Sequence, residues 1–463
     1  MSNLTQNLSE VDLSGSPDTL WCWPFACMLL AIAVFPVVPK LSHWWERNRN
    51  KLLMSIVLAG ALCVYYGLRG YGFAGSATGL NAVSTVLHHA IVADYLPFII
   101  LLFSLYSISG GIRLTGDIPA HPLTNCGFLL TGSLLASLIG TTGASMLLIR
   151  PLLQVNRERR HVKHTVIFFI FLVSNIGGSL LPVGDPPLFL GYLRGVPFLW
   201  TLNLFLPWVF TTTVILAVYL IIETIAYRRE TPSDILRDET ERAPFKLTGR
   251  GNFLLLAGVV LAVALLIPGK SIPAIGWVVP SLHLREAVLL ILAGMSLALT
   301  PRRIHIDNHF NFHAITEVAV LFIGVFVTMQ VPIEILKIKG ATLGIGTPMQ
   351  FFWLTGMLSS FLDNAPTYVV FFELAGTPHA VTSELLQNVA TVTGHIPARD
   401  LLAISCGAVF MGANTYIGNG PNFLVKSIAE HHGVKMPGFL GYMMYSSAIL
   451  LPVFIVLSLV FFR

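Results

Sequence analysis

Gly184-Asp185-Pro186-Pro187-Leu188-Phe189 and Gly418-Asn419-Gly420-Pro421-Asn422-Phe423 read as one motif written twice inside otherwise apolar sequence. Within a bilayer every backbone N–H and C=O needs a partner. Gly and Pro clusters at membrane depth are therefore tolerated only where the freed groups line a cavity or a site. The repeat predicts two broken helices and a duplicated chain.

Composition supports a membrane setting. Of 463 residues, 54% are hydrophobic and only 11% charged, and apolar runs of spanning length recur throughout. The polar leader with Glu10, Asp12 and Asp18 lacks the basic start of a cleavable signal, so Thr19 to Val38 is expected to stay as a first span. Cys22, Cys27, Cys63, Cys126 and Cys406 have no CxxC spacing and read as small apolar residues. A net charge of +5 reflects basic loops between spans rather than a nucleic-acid surface. The His residues lack metal-ligand spacing, there is no phosphate loop, and no nucleophile–base pair stands out; an enzyme, or an ATP-driven pump within this chain, is not expected.

Basic stretches at His43 to Lys51, Arg157 to Lys163, Arg228-Arg229, Arg302-Arg303 and Lys426 to Lys435 are all expected on the cytoplasmic side, with the N-terminus outside. That assignment closes only if Asn125 to Leu153 and Pro348 to Ala375 are re-entrant hairpins, the first entering from the cytoplasm and the second from outside. The expectation is an all-α polytopic membrane protein of about 11 transmembrane segments, with two re-entrant hairpins and two broken helices in an inverted-topology repeat.

Three pairs of elements recur in the same order, about 220 to 235 residues apart. The run from Asp94 to Ile112 lies on that from Glu317 to Ile335. The hairpin turn Gly140-Thr141-Thr142-Gly143-Ala144-Ser145 answers Leu362-Asp363-Asn364-Ala365-Pro366-Thr367, and the opening pair completes the set. The domain reading follows: a tail and two helices over 1–79, and a first repeat over 80–226 with hairpin 125–153 and broken helix 165–200. A cytoplasmic linker over 227–252 and two helices over 253–313 come next, then a second repeat over 314–463 with hairpin 348–375 and broken helix 400–425.

Asp185 and Asp363 fall at predicted breaks. A carboxylate there costs on the order of 2.5 to 3.5 kcal/mol and normally faces a cavity, a partner or an ion. For Asp185 the competing reading is a structural N-cap of the second half-helix. Asn175, Thr142, Ser145, Asn364, Thr367, Asn414, Thr415, Asn419 and Asn422 offer neutral oxygens that suit a hard cation such as sodium, or equally cap broken helix ends. Asp363, Asn364 and Asn419 form the expected Na+ set. Asp185, Asp363, Glu317 and Asp94 are the candidate proton carriers, the last two also readable as interfacial charges. Arg150 and Arg194 could neutralise an anion or extend to the interface.

At these residues the chain resembles the ion transporter superfamily of sodium/proton antiporters, arsenite permeases and citrate or dicarboxylate carriers. Ser174-Asn175-Ile176-Gly177-Gly178 followed by Pro182 to Pro187 is similar to its broken-helix signature. Phe361 to Thr367 is similar to the hairpin tip of the antiporter branch, and Thr316-Glu317 through Glu334 resembles the acidic helix before it. The likeness spans roughly residues 80 to 460. It implies a dimerising scaffold part, a moving transport part, and no cofactor beyond transported Na+ and H+. The first hairpin departs from the pattern, with no acid to match Asp363. Sodium/proton exchange is the leading expectation, carriage of citrate or a related carboxylate coupled to Na+ or H+ the alternative, and arsenite efflux a third. A scaffold without transport would leave the paired breaks unexplained. The plasma membrane of a prokaryote is the expected location.

Overall fold

The computed structural model describes residues 17–36, 38–272, 276–280, 283–376, 388–391 and 394–463. The leader acids Glu10 and Asp12 lie outside the described residues. Helices dominate. Among the described residues six are long and apolar enough to cross a membrane, and three shorter apolar helices accompany them.

In chain order these elements are α1 (Trp23–Val34), α2 (Asn48–Leu68), α3 (Leu80–Gly110), β1 (Arg113–Asp117), α4 (Pro122–Ile139), α5 (Thr141–Val155), α6 (Lys163–Leu172), α7 (Pro186–Leu193) and α8 (Phe198–Tyr227). The chain continues through α9 (Pro232–Thr240), β2 (Ala243–Thr248), α10 (Gly251–Leu265), α11 (Leu284–Leu299) and α12 (His313–Leu343). It ends with α13 (Pro348–Phe361), α14 (Asn364–Ala375), β3 (Asn388–Thr391), β4 (Gly394–Pro397), α15 (Ala398–Met411), α16 (Gly420–His431) and α17 (Phe439–Phe461).

Local chemistry sets the boundaries. Pro122, Pro186, Pro348 and Pro421 occupy the first turns of α4, α7, α13 and α16, where a missing N–H costs nothing. Thr347 and Gln350 form a reciprocal capping box on α13. Gly140, at φ 81°, turns α4 directly into α5, a backbone angle that favours glycine. The 227–252 segment is ordered: it contains α9 and β2, and β2 pairs antiparallel with β1. Asp238 of α9 is buried, and its carboxylate accepts the Ala120 N–H at 2.9 Å.

The described residues fall into two compact units, one within Met1–Leu96, Thr316–Ile345 and Glu373–Thr382, the other within Pro97–Ile315, Gly346–Phe372 and Ser383–Arg463. In the first, Leu62, Tyr66, Val86, Ala90, Val327 and Val331 build an apolar core. Arg69 makes hydrogen bonds of 2.8 and 3.0 Å to the two carboxylate oxygens of Glu334, which Tyr66 also meets at 3.1 Å.

The second unit holds the helix pair α4–α5, the pair α13–α14 as far as Phe372, and both helix breaks. Small residues let its helices touch through their backbones. A Cβ on Gly407 would lie 2.6 Å from the Phe352 carbonyl, and one on Gly177 would lie 2.6 Å from the Ser133 carbonyl. Each hairpin is tied to its own broken helix by a serine. Ser137 donates to the Gly177 carbonyl at 2.5 Å and accepts the Leu180 N–H. Ser360 donates to the Met411 carbonyl at 3.2 Å and accepts the Asn414 amide.

Candidate functional site

Both broken helices stop at an Asn- and Gly-rich stretch and restart on an extended residue. Asp185 (φ −143°, ψ 140°) precedes α7 and Asn419 (φ −153°, ψ 141°) precedes α16; neither side chain caps its own helix. The loops are closed by glycine. A Cβ on Gly418 would meet the Gly412 carbonyl at 2.5 Å, and one on Gly184 would collide with the Gly178 carbonyl.

Freed from capping, the Asp185 carboxylate is only 1% exposed and collects donors from three other helix starts. Thr141, the first residue of α5, donates its hydroxyl at 3.0 Å. Asn364, the first residue of α14, donates its amide at 2.5 Å. Asn419 donates at 3.3 Å and reaches the Ser174 carbonyl at 3.0 Å. Four helix N-termini, two from each repeat, thus meet on one acid. Each carries a partial positive charge from its aligned peptide dipoles. The centre therefore favours negative charge, in the carboxylate and in any anion that enters.

Neutral groups surround this point. Asn175 donates to the Asn422 side-chain oxygen at 2.7 Å, and Asn422 donates to the carbonyls of Gly412 and Thr415, each at 2.9 Å. Ser145 and Ser174 share a hydrogen bond of 2.8 Å. The Oδ1 atoms of Asn175 and Asn364 are buried without a hydrogen-bond partner. Unused buried acceptors ask for an explanation, and acceptor oxygens are what a hard cation requires.

The remaining expected residues take other places. Thr142 is half-buried beside Thr141 and makes no hydrogen bond to Asp185; one step along a helix swings the side chain away. Asp363 is half-buried, and its carboxylate accepts the Ala365 N–H at 3.1 Å. The expected Na+ set of Asp363, Asn364 and Asn419 is thus divided, since the two amides turn to Asp185. Thr367 bonds back to the Asp363 carbonyl at 3.1 Å. Asn414 and Thr415 hold Ser360, at 2.9 and 2.5 Å, and Thr415 also accepts the Gly418 N–H. Glu317 pairs with Lys51 at 2.5 Å, and Asp94 lies 3.9 Å from His89; both pairs belong to the first unit.

Sequence reading missed Thr141. Its signal was register: Thr141 follows the turn Gly140 as the first helical residue, as Asn364 follows Asp363. Also missed was a buried cluster in which Glu223 receives Arg159, His164 at 2.5 Å and Asn125 at 2.9 Å. Its members are scattered over α4, α6, α8 and a loop, so no local pattern announces it.

No curated protein matches the chain. The family described as "Putative citrate transport" matches residues 15–462. With spanning helices, paired helix breaks and that match over nearly its whole length, the chain is an integral membrane protein belonging to this citrate transport family, within the ion transporter superfamily.

Proposed function

We propose that the chain is a secondary carrier of citrate or a closely related carboxylate, driven by Na+ or H+ taken up at Asp185. The observation that carries this reading is the meeting of four helix N-termini on a single buried acid. An anionic substrate gains from those dipoles and from the hydroxyl and amide donors around them. Neutralising Asp185 with a cation or proton removes the charge at the meeting point of those donors, which would otherwise repel it. Binding of substrate and coupling ion is then mutually reinforcing, which is the requirement for cotransport. The oxygens of Asn175 and Asn364 complete the ligand shell when the ion is sodium.

In this reading α4–α5 and α13–α14 are re-entrant hairpins entering from opposite faces, the N-terminus is outside, and the second unit moves as the transport part. The scaffold part forms a homodimer, and the host membrane is a prokaryotic plasma membrane. Sodium/proton exchange draws less support, because it was motivated by two acids at paired breaks. Asp363 instead folds back onto its own helix.

Labelled citrate uptake into proteoliposomes tests the proposal. An inward Na+ or H+ gradient is expected to drive accumulation that Asp185→Asn abolishes. The reading fails when neither gradient drives uptake and Na+ addition alone alkalinises acidified vesicles.

A further inference from the structure

The second unit contains a cavity of about 760 Å³ away from Asp185, framed by the outer turns of α5, the loop between α5 and α6, the start of β1 and the segments at Asp307–His309 and His432–Lys435. Its lining is strongly cationic. Arg150, Arg159, Arg160, Lys163 and Lys435 all border it, against Asp307 as the acid in the wall.

Several of these charges are not spent on carboxylates. Among the described residues Arg150, Lys163 and Lys435 make no ion pair, whereas Arg160 is held by Asp234 at 2.8 Å and Arg159 by Glu223. The Nε of Arg150 is buried without a hydrogen-bond partner, as is the Nη2 of Arg159. A buried guanidinium donor left open is costly, and planar donors in a concave cationic wall match oxyanions that carry more than one charge. Cavities lined by one sign of charge also concentrate counter-ions from solution.

We infer that this cavity is a second anion site, binding a small polycarboxylate separately from the Asp185 centre. The choice of a carboxylate rests on the carrier reading above; the unpaired cations do not depend on it. Arg150 and Thr141 belong to the same helix, nine residues apart, so the cavity lies roughly 13 Å of helix rise from the central acid. The basic loop from Arg157 to Lys163 puts it on the cytoplasmic face by the positive-inside rule. There it meets the internal pool of anion and sets how fast that pool exchanges with the central site.

Equilibrium binding of labelled citrate to full-length protein in detergent, in an Asp185→Asn background that blocks coupling but leaves the neutralised centre open to an anion, assigns to the cavity the component weakened by Arg150→Gln, Lys163→Gln and Lys435→Gln together. That component is expected to weaken at least about tenfold between 0.05 and 0.5 M potassium chloride. The three substitutions are expected to weaken that component by about tenfold or more, with the thermal melting of the protein unchanged. Acetate and inorganic phosphate should displace citrate poorly. The inference is overturned by absence of citrate binding in Asp185→Asn protein that melts normally, or by binding indifferent to the three substitutions. It is overturned equally by displacement with phosphate at equal concentration, or by displacement with micellar cardiolipin, which would assign the cavity to a lipid headgroup. Should uptake into proteoliposomes fail while this binding persists, the carrier reading falls and the second site stands.

Discussion

Thr141→Val removes one hydroxyl from the centre and little else. The Thr141 methyl packs beside Gly178, where an added Cβ would lie 2.6 Å from it, and valine preserves that methyl and the branched shape. What is lost is the 3.0 Å donation to Asp185. A hydrogen bond to a charged group contributes about 1.5 to 3 kcal/mol. At tenfold per 1.4 kcal/mol, that is a loss of roughly 10- to 150-fold in whatever equilibrium the ionised carboxylate controls. The coupling ion needs that carboxylate ionised and held in place, so the half-saturating Na+ or H+ concentration for citrate uptake should change by this factor. Thr141→Ser should stay within about threefold, since the donor survives. Thr142→Val should behave as the parent protein. Initial rates of labelled citrate uptake at varied coupling-ion concentration, normalised to reconstituted protein, measure all three. Equal effects of Thr141→Val and Thr142→Val, or a serine variant as poor as valine, would refute the assignment of Thr141 to the site.

The two acids at the hairpin and helix breaks should separate cleanly: Asp185→Asn abolishes gradient-driven uptake, while Asp363→Asn, whose amide oxygen can still accept the Ala365 N–H, reduces it by a few-fold at most. Gly184→Ala and Gly418→Ala should each prevent recovery of folded, monodisperse protein on size-exclusion chromatography, whereas Gly420→Ala, with open space around its Cβ position, should be recovered normally. In the first unit, Glu334→Gln leaves the buried Arg69 guanidinium without its counter-charge. It should cost about 3 to 5 kcal/mol, seen as a lower melting temperature in detergent with citrate affinity per folded molecule unchanged.

Much of the architecture was legible because glycine, proline and asparagine mark helix breaks in lipid more sharply than in water. Two helices joined by a tight turn occupy 122–155 and 348–375, and helices begin one residue after Asp185 and Asn419. The kinds of residue gathered around Asp185 were legible, but not their register. Thr141 and Thr142 are adjacent, equally polar and equally near the turn; only the helical phase after Gly140 decides which one faces Asp185. The hydrogen bond of Asp363 was hidden for a related reason. An acid just before a helix can serve a distant partner or its own N–H groups, and nothing local distinguishes the two. The buried Glu223 cluster and the cationic cavity were hidden because each is assembled from four or more distant segments. The β1–β2 pairing was hidden because Arg113–Asp117 and Ala243–Thr248 are short and polar, and each makes a strand only by meeting the other.

The close approaches at Gly178–Gly184 and Gly412–Gly418 are made by backbone against backbone, with Thr415 and Asn422 fastening the second loop and neither the Asp185 carboxylate nor the Asn419 amide holding either one. Scaffold and charge are therefore separable at these two positions. An acid and an amide can change places between positions 185 and 419 without unfastening either loop. The exchange Asp185→Asn with Asn419→Asp would hand the charge to the other copy on an unaltered frame, turning the centre over like a reversed battery in the same holder.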